Sequence, residues 1–103
     1  MPKRIIQPLD TGRYFIINVK LQTFARLPDA NISSEIVSSI NKEDPGTKWN
    51  VHLLSNGKFT LQNFDFGLYA IREPSAGRGE NATGGTLGQQ WNIQEVKKPG
   101  HFV

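Results

Sequence analysis

The stretch Trp49-Asn50-Val51-His52-Leu53-Leu54-Ser55-Asn56-Gly57-Lys58-Phe59 holds two markers that decide the fold. Its first six residues recur 42 positions later as Trp91-Asn92-Ile93-Gln94-Glu95-Val96. Its last three, Gly-basic-aromatic, stand 45 residues earlier as Gly12-Arg13-Tyr14 and 43 later as Gly100-His101-Phe102. A third pair, Phe24-Ala25 and Tyr69-Ala70, repeats at the same offset of 45. Independent markers at one period define an internal repeat, and a repeat dictates architecture before any single element does.

Within each unit the apolar residues alternate with a period of two, which is the strand period. Tyr14 and Ile16 share a face, as do Phe59 and Leu61, and Trp49, Val51 and Leu53. The stretches 28–31, 41–46, 55–57 and 74–85 carry Pro, Gly, Asn and Asp turn chemistry between these runs. The pattern predicts four short strands per unit, at 12–18, 20–27, 35–40 and 48–54, then at 57–63, 66–72, 83–87 and 90–96. Ile32, Ile36 and Ile40 also have helical spacing, but their repeat equivalents, Thr83 to Leu87, are too rich in glycine for a helix.

Four strands in a repeat of this length suit a propeller blade or one unit of a three-fold trefoil. Propellers need four or more blades, and two copies do not make one. The expected fold is therefore all-β and of the β-trefoil type, with two of three four-stranded repeats plus the start of the third. The chain is read as a single domain over residues 1–103, with repeat one at about 12–54, repeat two at about 57–96 and the third opening at 100–103. Two thirds of a closed barrel leaves strand edges unpaired, so a homo-oligomer or a complementing third-repeat segment is expected as partner.

Bulk properties narrow the function classes. The 103 residues suit one core. With no cysteine, disulfides, thiol catalysis and cysteine-held metals are excluded. The 12 basic and 9 acidic residues are scattered, giving a mild net +3 that does not single out nucleic acid. No apolar run reaches membrane-spanning length. The apolar stretch after Met1-Pro2-Lys3-Arg4 is broken by Gln7, Pro8 and Asp10, which argues against a signal peptide and for a cytoplasmic location. The sequons at Asn31 and Asn81 leave secretion open.

No enzyme chemistry is expected. His52 and His101 have no Ser, Asp or Glu at a motif spacing that would make either a general base, and no metal-ligand spacing is present. Gly77 to Gly85 lacks the Gly-Lys-Ser/Thr ending of a phosphate loop and no helix follows it. No cofactor is implied.

Gly12-Arg13-Tyr14-Phe15-Ile16-Ile17-Asn18 and Gly46-Thr47-Lys48-Trp49-Asn50-Val51 resemble a fungal β-trefoil family, the mushroom serine protease inhibitors of the cospin type, and more loosely the ricin-B-like lectins. The resemblance covers the chain in outline. In such inhibitors the connection between the second and third strands carries a reactive Arg, and Arg26 is the matching position. Strand alternation puts Leu21, Ala25 and Leu27 on one face and turns Arg26 outward. An outward Arg between Ala25 and Leu27-Pro28 suits the carboxylate-lined pocket of a trypsin-like serine protease. Pro28 stiffens the loop, as inhibition by a pre-ordered segment requires. The competing reading is a solvated arginine at a strand end. Arg72, followed by Glu73-Pro74, and Arg78, between glycines, are alternative reactive residues.

The resemblance to lectins rests on Gln89-Gln90-Trp91, whose counterpart in the first unit is Thr47-Lys48-Trp49. A sugar site needs an aromatic stacking face with amide or carboxylate partners, for which Asn63, Asp65 and Tyr69 are the candidates. The expected function is thus reversible inhibition of a trypsin-like serine protease through the Arg26 loop, with a carbohydrate-binding lectin module as the alternative.

Overall fold

A computed structural model describes residues 10–18, 20–72 and 82–93. Every regular element among them is a strand: β1 (Gly12–Phe15), β2 (Ile17–Asn18), β3 (Thr23–Arg26), β4 (Val37–Ser39), β5 (Lys48–Leu53), β6 (Phe59–Asn63), β7 (Tyr69–Ile71) and β8 (Thr83–Gly85). Helical spacing of isoleucines does not yield a helix at 30–40. Ile36 is half-buried while Ile32 and Ile40 lie in solvent, so no apolar stripe is formed.

The strands form a five-stranded antiparallel sheet in the order β1-β5-β6-β7-β8 and a three-stranded sheet, β2-β3-β4. The strand expected at 12–18 is split at Ile16. Its first part pairs with β5 and its second with β3, so one continuous segment passes from one sheet to the other. The strand expected at 90–96 is present as a bridge between Trp91 and Phe59, and residues 94–96 lie outside the described residues. This is an all-β fold of the β-trefoil type.

The repeat is reproduced in hydrogen bonds as well as in strands. Trp49 Nε1 donates to the Ala25 carbonyl at 3.1 Å, and Trp91 Nε1 to the Ala70 carbonyl at 3.0 Å. Tyr14 faces Trp49 in register, as Phe59 faces Trp91. Asn18 Oδ1 accepts from the amides of Lys20 and Leu21, and Asn63 Oδ1 from those of Asp65 and Phe66. Each Asn thereby closes the turn that sends the chain into the next strand. That turn requires a left-handed residue four positions on, supplied by Gln22 (φ 56°) in one unit and Gly67 (φ 74°) in the other.

Leu27, Trp49 and Ala70 centre the core, with Ile16, Ile36, Leu61, Phe66, Leu68 and Trp91 packed around them. Leu27 is completely enclosed. The approach of the 41–47 connection demands a glycine: at Gly46 (φ +87°) a Cβ would lie 1.9 Å from the Leu27 carbonyl oxygen. That close contact lets Leu27 N–H donate to the Gly46 carbonyl at 3.0 Å.

Candidate functional site

Because Trp49 and Val51 are buried, their neighbours Asn50 and His52 are carried on the opposite, outward face of β5. Residues directly opposed across an antiparallel pair share a face. Arg13 faces Asn50, Asn50 faces Gln62, and Gln62 faces Tyr69. The register therefore lines four side chains in one row across β1, β5, β6 and β7. His52 and Thr60 form a second, parallel pair. With Thr11 they line a groove of about 300 Å³.

The groove is rich in uncommitted hydrogen-bonding groups. Among the described residues no hydrogen bond engages the side chains of Asn50, His52 or Thr60. Gln62 Nε2 donates to the Gly67 carbonyl at 2.9 Å, which fixes the amide while leaving its oxygen and a second N–H for a ligand. Thr11 Oγ1 accepts from Leu53 N–H at 2.9 Å and keeps its own proton to donate. At one end the Arg13 guanidinium carbon lies 3.7 Å from the centre of the Phe64 ring. Such stacking orders a flexible cation without neutralising it. At the other end stands the half-buried Tyr69 ring.

The residues expected to contact a protease are placed otherwise. Arg26 does not point freely outward: its Nε donates to the Pro45 carbonyl at 2.8 Å, and its Nη1 lies 4.0 Å from Asp44. Leu27 lies wholly in the core and presents nothing to a partner. Ala25 is half-buried and bonded through its N–H to Ile16 and its carbonyl to Trp49, and Pro28 is half-buried. Leu27 is buried and Arg26 is not, but Leu21, expected on the same face as Leu27, precedes β3 and is exposed, and a carbonyl of the returning loop captures the arginine. Arg72 is exposed, and its amide donates to Gln89 Oε1 at 2.7 Å. Arg78 lies outside the described residues.

Of the three sugar candidates, only Tyr69 reaches the groove. Asn63 is buried, and its amide is consumed: Nδ2 donates to the Gly46 carbonyl at 2.9 Å while Oδ1 closes the Asp65–Phe66 turn. Asp65 Oδ2 accepts from Gly46 N–H at 2.7 Å. Both therefore brace the 41–47 connection. Gln89 and Gln90 likewise serve structure, Gln90 by accepting from Asn56 Nδ2 at 2.9 Å. Arg13, Asn50, His52, Thr60 and Gln62 were not among the expected site residues. Their signal was present in the alternation, as the polar partners of each buried residue. No group of three or more His, Asp or Glu side chains suited to a metal occurs among the described residues.

No protein-family model and no curated protein matches the chain. Among solved structures it is similar to one described as "Structure and mode of action of a mosquitocidal holotoxin". The TM-score is 0.77 at 22% identity, over 86% of this chain and 12% of that one. The likeness is one of fold, and this chain spans a small part of the toxin's length.

Proposed function

We propose that this chain is a carbohydrate-binding β-trefoil module that takes a saccharide along the outward groove of β1, β5, β6 and β7. The observation that supports it is the row Arg13–Asn50–Gln62–Tyr69, which register alone assembles. Side-chain amides offer donor and acceptor together, the pairing that vicinal hydroxyls of a sugar satisfy. A tyrosine ring supplies an apolar face for the C–H side of a pyranose and a polar tip. The fold likeness and the Gln89-Gln90-Trp91 element agree with a lectin-type scaffold. The role proposed for the module is binding rather than catalysis.

An oligosaccharide array followed by calorimetric titration tests the reading. Specific, competable binding is expected, weakened about tenfold or more in Gln62→Ala, which removes one ligand-facing amide. Binding that survives both Gln62→Ala and Asn50→Ala would place the sugar elsewhere, and no binding to any saccharide would remove the proposal.

A further inference from the structure

We infer that the saccharide this groove takes is an anionic oligosaccharide, its carboxylate or sulfate held by Arg13; the inference rests on the carbohydrate reading above. Two arginines of the first repeat show the contrast that carries it. Arg26 is answered within the chain by the Pro45 carbonyl and Asp44. Arg13 is exposed and stacked on Phe64, and among the described residues no carboxylate pairs with it. None of the described residues lining the groove is acidic. Lys48 stands on the same outward face of β5, two residues from Asn50, and is exposed. A neutral sugar would need none of this positive charge.

The chemistry suits an oxyanion that presents two oxygens side by side. A guanidinium presents paired N–H donors that match two oxygens of a carboxylate or sulfate, and such charge-assisted pairs are stronger than neutral hydrogen bonds. Stacking on Phe64 holds the arginine before the ligand arrives, so less rotamer freedom is lost on docking. Neighbouring strands lie about 4.8 Å apart, so the row from β1 to β7 spans roughly 14 Å. That length calls for several sugar units, with the acidic group at the Arg13 end and a ring against Tyr69.

The test compares a galacturonic acid oligomer, its methyl ester, and a sulfated neutral oligosaccharide of similar length, with poly-glutamate as a polyanion that is not a sugar. The intact chain is expected to bind the acid roughly fivefold or more tighter than the ester, as loss of one charged contact predicts. Arg13→Gln should bring the acid down to the level of the ester, while Gln62→Ala should weaken both. Circular dichroism checks that each variant is folded. Preference for the sulfated or the carboxylate probe tells which anion is read. Equal binding of acid and ester, or no effect of Arg13→Gln, overturns the inference and leaves the carbohydrate reading standing. Equally tight binding of poly-glutamate overturns it too, since charge alone would then be sensed. Failure of every saccharide overturns both.

Discussion

β1 and β6 open the two repeats with the same Gly-basic-aromatic motif, yet they occupy different environments. β6 lies between β5 and the Trp91 segment, and it also meets β7 through Gln62. Among the described residues β1 pairs with β5 alone and forms one end of its sheet. Equivalent residues differ, both in β1 and in β2, which continues it into the other sheet and holds Asn18. Phe59 and Asn63 are almost fully buried, whereas Tyr14 is half-buried and Asn18 exposed. The same local sequence thus makes the same turn in both units, and neighbours decide how much that turn contributes to stability.

The largest expected difference lies at the paired asparagines. Asn63→Ala removes three hydrogen bonds, including the one to the Gly46 carbonyl, and strands turn amides at the edge of the core. At about 1 kcal/mol for each, the loss is about 3 kcal/mol. Asn18→Ala removes two bonds at a site open to water, with an expected loss of about 1 kcal/mol or less. Urea unfolding of both variants measures the gap. Equal losses would break the comparison, because they would mean that the end of β2 at Asn18 is as enclosed in solution as the end of β6 at Asn63.

A smaller effect is expected at the left-handed residue of the same turn. Gly67 N–H donates to the Asn63 carbonyl as Gln22 N–H does to Asn18, at 2.9 and 2.7 Å. A Cβ at Gly67 meets nothing within 4 Å, so only the backbone conformation opposes a side chain there. Gly67→Gln should therefore cost about 1 kcal/mol, the ordinary penalty of a left-handed L-residue. The first repeat already bears that penalty at Gln22. An unchanged midpoint would show that the Asn turn compensates for it in both units.

What could be read from sequence follows the same division between local and non-local causes. The repeat, the strand periods and the buried faces of Trp49, Val51 and Phe59 were legible because each depends on spacing along the chain. The groove was not, because Arg13, Asn50, Gln62 and Tyr69 meet only through the register of four strands. Arg26 and Asn63 were misplaced for one physical reason. Their partners, the carbonyls of Pro45 and Gly46, lie 19 and 17 residues away on a connection whose path spacing does not reveal. A polar residue at a strand end reads as available until the loop that satisfies it is placed.

The smallest effect separates the connections that follow β3 and β7. In the first repeat Asp29 accepts from the Ser34 hydroxyl and from Asn31 N–H, tying the start of that connection to its middle. The equivalent position 45 residues on is Pro74, which has no such side chain and lies outside the described residues. The Ser34 bond, then the Asn31 amide, hold the Asp29 carboxyl below its ordinary range. Folding therefore gains from this group above the unfolded carboxylate pKa of about 3.9, and the gain is lost as pH falls through the lower folded value. Asp29 is half-buried and still reached by water, so the effect is slight and screened by salt. Chemical unfolding between pH 6 and 2 should show a shallower acid decline for Asp29→Asn than for the parent chain. Identical declines would mean that these bonds shape the loop without contributing to its stability, and the two connections would then be energetically alike despite their different sequences.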